Sequence, residues 1–343
     1  MSQTISNCSN VAVLIGRFQP FHLGHMALLE QALATAPRVV VVIGSAFQAR
    51  TPRNPFTWQE RKQTILKSLP AETQARVTCV PMRDFYDAER WSSAVRQAVE
   101  AIDSGPITLV GHFKDDTSDY LSGFTGWRLQ ALLRQHTIDG TAIRDAYFAS
   151  GLEGVPDGTI PSATQTFLKQ FEGTEHFKSL CSEWRMLAQY KDAWAAAPYP
   201  PVFVTVDAVV RCANKVLLIQ RGQPPGVGLW ALPGGFIEQR ETAYRSALRE
   251  LSEETRLAVT DDEMRRAMVS SAVFDHPDRS QRGRTITHAF YFDLGDRPLP
   301  AIEADDDARN ATWTDIDQLS AMEEQFHDDH FHILDQFLSL LPN

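Results

Sequence analysis

The sequence predicts an α/β chain of two domains, and three observations carry that reading. Short β-branched apolar runs alternate with helical patterns through the first half, which gives βαβ units and a mostly parallel sheet with covered faces. A glycine-containing turn joins the first of these runs to its helix, and a second glycine turn near residue 235 feeds a helix rich in glutamate. The 343 residues exceed what one core usually serves, while 43% hydrophobic and 22% charged residues are ordinary for a globular chain.

Val11 to Ile15, VAVLI, reads as a buried parallel strand that runs through GRFQPFHLGH into the helical MALLEQALATA. VVVVIGSA (Val39 to Ala46), ARVTCVPM (Ala75 to Met82) and ITLVGH (Ile107 to His112) read as further strands. Helices are expected around Trp58 to Ser68 and Trp91 to Ile102. Ligands of such sheets sit beyond the carboxyl ends of the strands, so SAFQARTPRNPFTWQER, RDFYDAERW and GHFKDDTSDY are expected to wall a pocket. A helical stretch from Ser162 to Ala197 is broken by APYPP, which puts the boundary between a domain over 1–197 and one over 198–343.

Residues 1–195 carry 19 basic and 19 acidic side chains and residues 196–343 carry 14 and 24, so the net charge of −10 lies in the C-terminal part. No basic nucleic-acid surface forms, and no apolar stretch approaches the ~20 residues of a membrane span. Cys8, Cys79, Cys181 and Cys212 show neither metal-ligand spacing nor a disulfide framework, and MSQTISNCSN has neither a basic n-region nor an apolar h-region. A reducing cytoplasm is the natural reading.

The chemistry concentrates in two segments. Glu250, Glu253 and Glu254 stand at i, i+3 and i+4 of one expected helix, where like charges repel unless a cation sits between them, and hard oxygen ligands suit Mg²⁺ or Mn²⁺. A solvated acidic face is the bland alternative. It leaves unexplained the preceding LWALPGGFIE and the placement of Arg249 four residues before Glu253. The segment resembles the Nudix box, G-x5-E-x7-R-E-U-x-E-E-x-G-U, with Gly235, Glu241, Arg249, Glu250, Leu251, Glu253, Glu254 and Leu257 in register. Arg256 stands where that family has its last glycine, which suggests a different exit from the helix with metal ligation kept. In the other segment, strand, glycine turn and helix form the layout of a nucleotide-phosphate site, and His22 and His25 add donors to it. Gly16, Phe18, Pro20 and Gly24 complete G-x-F-x-P-x-H-x-G-H, which resembles the nucleotidyltransferase signature. IDGTAIRDAYF (Ile138 to Phe148) opens a helix with a hydroxyl and a guanidinium; it resembles the I-S-x-T-x-x-R motif of nicotinamide mononucleotide (NMN) adenylyltransferases, with Asp139 for the serine and Thr141 and Arg144 kept.

Over nearly its full length the chain resembles bifunctional NMN adenylyltransferase/Nudix hydrolases. The resemblance implies a Rossmann-like nucleotidyltransferase domain followed by an α/β/α Nudix domain with a mixed sheet, acting on ATP, NMN, NAD and ADP-ribose with Mg²⁺ or Mn²⁺ in both domains. It implies that Gly16, Arg17, Phe18, Gly24, Trp91, Lys114 and Thr141 bind ATP and NMN around His22, His25 and Arg144. Trp91 is either a platform for the pyridinium ring or a core tryptophan. It implies metal ligation by Glu250, Glu253 and Glu254, with Glu253 and Glu254 catalytic, Arg249 and Glu241 supporting them, and Gly235 at the substrate. Arg279, Arg282 and Arg284, in the turn-rich FDHPDRSQRGRTITHAF, suit a diphosphate and its terminal ribose, against the alternative of a solvated loop. Other readings stay open: a Nudix half that senses ADP-ribose without cleaving it or cleaves another nucleoside diphosphate derivative, phosphopantetheine or cytidylyl transfer in the first half, and a homo-oligomeric state.

Overall fold

The computed structural model describes residues 10–111, 123–132 and 139–341. Backbone contacts divide the chain into two compact units, residues 1–181 and 182–343. The first contains β1 (Val11–Gly16), α1 (Leu23–Thr35), β2 (Arg38–Ile43), α2 (Trp58–Lys67), α3 (Ala71–Gln74), β3 (Val77–Pro81), α4 (Ala88–Glu100), β4 (Ile107–Gly111), β5 (Arg128–Ala131), α5 (Gly140–Ser150) and α6 (Ser162–Phe171). The long α7 (Glu175–Ala193) follows, so the single helical stretch expected over 162–197 is two helices parted at Glu172 to Thr174.

All five strands of the first sheet are parallel, in the order β3-β2-β1-β4-β5. Alternation explains why β1, and β2 after its exposed Arg38, are apolar at every position. Ala12, Leu14, Val39, Val41 and Ile43 pack with Leu28, Leu29 and Ile65 on one face, and Val11, Val13, Val40 and Val42 pack with Val95 and Val99 on the other. Each buried side chain of this size contributes about 1.5–3 kcal/mol. Because β1 is central, the turn after it opens at the crevice where the strand order reverses.

The second unit holds β6 (Val202–Cys212), β7 (Lys215–Arg221), β8 (Trp230–Ala231), β9 (Gly234–Phe236), α8 (Ala243–Thr255), α9 (Asp261–Ala267), β10 (Met268–Phe274), β11 (Arg284–Asp293), β12 (Ala308–Asp315) and α10 (His330–Leu338). Its sheet is mixed: β6 and β11 run parallel, while β10 on β11, β7 on β6 and β12 on β7 are antiparallel. β6 again serves two layers. Val206, Ala208 and Val210 pack with Ala247 and Leu251 of α8, and Val209 packs in the cluster of Phe331, Ile333 and Leu334 from α10. Helices thus cover both faces. Among the described residues no helix is long and apolar enough to cross a membrane.

Candidate functional site

In the first unit the site is built on the turn after β1. A Cβ on Gly16 would lie 2.9 Å from the ring of Phe18, so glycine lets that ring fold back over the strand end, with Phe18 itself at φ 53. The buried His22 is the N-cap of α1 and His25 its third residue. Each backbone N–H donates to the other's Nδ1 at 3.4 Å, a capping box made of two imidazoles. Both Nδ1 atoms therefore accept, which leaves the ring protons on Nε2. The rings stack with centroids 3.6 Å apart, and a side chain on Gly24 would come within 3.1 Å of the His22 ring.

α5 completes this arrangement. Asp139 caps it by accepting from the Thr141 N–H at 2.9 Å. The buried Arg144 donates through Nη1 to the carbonyls of Gln19 (2.6 Å) and Gly140 (3.1 Å) and through Nη2 to Thr141 Oγ1 (3.1 Å), tying the first turn of α5 to the loop before α1. Burial, helped by the charge of Arg17, pushes Arg144 down to about 10. A Cβ on Gly140 would stand 3.8 Å from the His22 ring, so the structure brings Arg17, His22, His25, Thr141 and Arg144 to one place. It adds Arg61, to which sequence reasoning gave no role. This guanidinium donates to the carbonyls of Arg17 and Gly44 (both 2.6 Å) and Ser45 (3.0 Å), fixing the turns after β1 and β2. Its only sequence signal is its position in NPFTWQER. Trp91 is a half-buried member of the cluster on the α4 face, edge-on to Phe124, and Asp87 before it caps α4 through the Arg90 N–H at 2.8 Å. Lys114 lies outside the described residues.

In the second unit α8 carries the acidic cluster, and a cation already stands in it. Arg249 donates through Nη1 to Glu250 (2.9 Å) and Glu253 (2.8 Å), through Nε to Glu241 (3.0 Å) and through Nη2 to the carbonyl of Phe236. The three glutamates of the expected metal site thus share their surroundings with the Arg249 guanidinium, and among the described residues no three His, Cys, Asp or Glu side chains stand grouped around one point. Glu241 also accepts from Ser246 Oγ at 2.7 Å. Glu254 accepts from the Gly234 N–H at 2.8 Å. Burial first, with the charge of Glu250 added, pushes its carboxyl up to about 8, and burial raises Glu250 as well. Two carboxylates so disfavoured as anions, with the hard oxygens of Glu253 nearby, suit a divalent cation. The approach is tight at the turn: a Cβ on Gly235 would stand 2.6 Å from the Glu250 carboxylate.

Arg256 corrects the expectation of a different helix exit. It adopts φ 42 and ψ 37, the left-handed exit usual for glycine, so α8 ends as it would with the family's residue.

Beside Gly234 and Gly235 lies a cleft lined by Asp207, Arg221, Arg279, Arg282, His327 and His330, among others. Of the three arginines expected there, Arg279 is buried in a two-bond ion pair with Asp329 (both 2.8 Å), Arg282 lies over the Phe236 ring at 5.1 Å, and Arg284 donates to the Asp275 carbonyl. Arg284 does not line the cleft. Sequence reasoning missed Asp207, Arg221, His327 and His330. Their signal was weak: one acidic position in an apolar strand, and the histidines of MEEQFHDDHFHI.

Fold and sites define a class, a nucleotidyltransferase-like unit followed by a Nudix unit. Residues 13–145 match the cytidylyltransferase-like family and residues 201–337 the NUDIX domain. A bifunctional NMN adenylyltransferase/ADP ribose pyrophosphatase from Francisella tularensis superposes with a TM-score of 0.91 at 33% identity, covering 96% of this chain and 99% of that one; it has also been solved with AMP and a manganese ion. The nicotinamide/nicotinic acid mononucleotide adenylyltransferase of Acinetobacter baylyi is 37% identical over 177 residues, 50% of this chain and 92% of the relative. An ADP-ribose pyrophosphatase of Methanocaldococcus jannaschii is 37% identical over 116 residues, 34% of this chain and 63% of the relative. The chain belongs to the bifunctional NMN adenylyltransferase/ADP-ribose pyrophosphatase family.

Proposed function

We propose that the chain makes NAD from NMN and ATP in its first unit and cleaves ADP-ribose in its second. One observation carries the reading: a paired-histidine phosphate turn and an arginine-braced glutamate helix occur in one chain that aligns end to end with a bifunctional relative. We draw the functional boundary at 197/198. In support, α7 closes at Ala193 and β6 begins at Val202, although backbone contacts part at Cys181 and Ser182.

In the transferase the 5′-phosphate oxygen of NMN attacks the α-phosphorus of ATP, and the bond to the β-phosphate oxygen breaks to release pyrophosphate. Such transfer needs positioning and charge neutralisation more than covalent help. His22 and His25 present Nε2–H donors to the phosphates, Arg144 and Lys114 neutralise the departing pyrophosphate, and Thr141 orients a phosphate oxygen. Gly16, Phe18 and Gly24 shape the turn. Trp91 offers its ring to the pyridinium. In the hydrolase, water attacks one phosphorus of the diphosphate and the P–O–P bridge breaks, giving AMP and ribose 5-phosphate. Glu250, Glu253 and Glu254 would hold Mg²⁺ or Mn²⁺, which supplies charge neutralisation and water activation when bound; in the transferase the ion would arrive with ATP. Arg249 and Glu241 hold those carboxylates in place. A cytoplasmic location fits Cys79, Cys181 and Cys212, which form no disulfide among the described residues.

The test is the purified full chain, assayed for NAD with ATP and NMN and for AMP with ADP-ribose, with Mg²⁺, Mn²⁺ or EDTA. Glu254→Gln should abolish AMP release and spare NAD synthesis. Wild-type protein that binds ADP-ribose yet releases no AMP with either metal would make the Nudix unit a sensor.

A further inference from the structure

The wall of the Nudix cleft opposite the glutamate helix holds polar groups that the reading above does not use. His330 opens α10, and its Nδ1 accepts from the Leu232 N–H at 2.9 Å. The ring proton is therefore on Nε2, which meets no acceptor among the described residues. His327, one turn earlier, is buried, and neither ring nitrogen has a hydrogen-bond partner among the described residues; Asp328 Oδ2 lies 3.4 Å from Nε2, outside hydrogen-bonding geometry. Among the described residues Arg221 spends only its Nε, donating to the Pro225 carbonyl, and the Arg282 guanidinium makes no hydrogen bond. Of these groups the two His327 nitrogens are buried without a partner, and beside them the unbonded N–H groups of Arg221, Arg282 and His330 line the same cleft, so the wall is built for a ligand that supplies acceptors.

We propose that His330 touches the substrate of the hydrolase, its Nε2–H donating with the free N–H groups of Arg221 and Arg282 to oxygens of the diphosphate. The inference rests on the hydrolase reading and adds a residue to it. The Leu232 bond fixes the ring plane and tautomer, so the donor is set before substrate arrives. Burial, the largest influence, and the neighbouring arginines hold His330 down to about 3 against the pull of Asp329, which keeps the ring a neutral donor. His327 stands beside it in the same wall, the two ring centroids 5.7 Å apart.

The rival role is purely structural, with His330 serving the Leu232 N–H and nothing else. Two variants of the full chain separate them. His330→Asn keeps an acceptor near the Nδ1 position and loses the far donor; His330→Gln keeps a donor near Nε2 and loses the acceptor. His330→Asn is expected to melt within about 2 °C of wild type and to lose about 10- to 100-fold in kcat/KM for ADP-ribose, the scale of one charge-assisted hydrogen bond. His330→Gln is expected to melt lower yet keep activity nearer to wild type. Full activity in a stably folded His330→Asn would overturn the proposal. NAD synthesis by each variant reports on folding of the rest of the chain. Should both variants unfold, the imidazole Nε2–H resonance of wild-type His330 takes their place: it should move downfield when ADP-ribose is added in EDTA, and a stationary resonance would overturn the assignment. A wild-type chain that neither binds nor cleaves ADP-ribose would remove the hydrolase reading itself; wild-type cleavage with an indifferent His330 removes only this inference.

Discussion

Replacing Arg279 by Ala should unfold the Nudix unit before it weakens substrate binding. The side chains of Arg279 and Asp329 retain 5% and 4% of their surface, and two hydrogen bonds of 2.8 Å join them. Removing the guanidinium leaves the Asp329 carboxylate buried without its counter-charge, a change that costs about 3–5 kcal/mol. For a unit of this size each kcal/mol lowers the midpoint by about 2–4 °C, so the expected fall is roughly 6–20 °C. Arg282 makes the contrast, because it has no hydrogen bond to the described protein and lies over Phe236 at the cleft. Arg282→Ala should change stability by no more than about 0.5 kcal/mol and raise KM for ADP-ribose. Thermal and urea unfolding of the full chain, with NAD synthesis followed in parallel, measures both. The double variant Arg279→Met, Asp329→Leu should recover most of the lost stability, since removing both charges removes the uncompensated one. Arg279→Ala protein with an unchanged midpoint and a raised KM would refute the argument and make Arg279 a substrate ligand.

Gly235→Ala sets a methyl where the Glu250 carboxylate lies at 2.6 Å; the end of a side chain can move aside, so the fold should persist while ADP-ribose hydrolysis falls by about 10²-fold, the cost of a misplacement near 1 Å. Unimpaired hydrolysis would show that the position of Glu250 does not matter. His25→Ala should lower NAD synthesis by about 10²-fold or more and, by removing half of the capping box, destabilise α1 by about 1 kcal/mol, with AMP release from ADP-ribose unchanged; synthesis at the wild-type rate would take His25 out of the site. Glu263 caps α9 through Thr260 and accepts from Arg297 at 3.1 Å, and the Thr260 bonds, the largest cause, hold its carboxyl down from 4.5 to about 2. Its stabilising effect should be complete above about pH 4.5 and disappear as the pH falls through 2, so the melting temperature of Glu263→Gln should converge on that of wild type in acid; an offset that stays constant from pH 7 to pH 2 would contradict this.

What was legible in the sequence is what repeats or is local. β1, β2 and β4 announce themselves because both faces of a parallel sheet are buried there, so apolar residues run almost without interruption, and the turn at Gly16 to His25 is contiguous. The register of α8 follows from helical spacing alone, including the bond from Arg249 to Glu253. The short β5, with three of its four residues exposed, left no apolar signal. The cleft wall was hidden for another reason. Arg221 comes from β7, Asp207 from β6, and His327 and His330 from around the start of α10, so only the folded sheet brings them together. The fate of Arg279 was equally invisible, since its partner stands fifty positions away. Three arginines in a turn-rich segment look alike in sequence, yet one is buried in an ion pair, one lies over an aromatic ring and one closes on a carbonyl.

The arginine at the last glycine position of the Nudix box shows how a local departure can leave a site unchanged. A left-handed residue is needed at the C-terminus of α8 because the chain must turn while the last carbonyls find donors. Those donors are the backbone N–H groups of Glu303, bonded to the Thr255 carbonyl at 2.8 Å, and Asp305, bonded to that of Glu254 at 3.2 Å. The same two residues offer their carboxylates to the Arg256 side chain, Asp305 at 2.6 Å and Glu303 at 3.4 Å. The segment that closes the helix therefore also holds the residue whose backbone is strained by the closure. Glycine would reach this conformation without strain but would bring no side chain to the segment. The exit, and with it the position of Glu254 one turn into the site, is kept by different means.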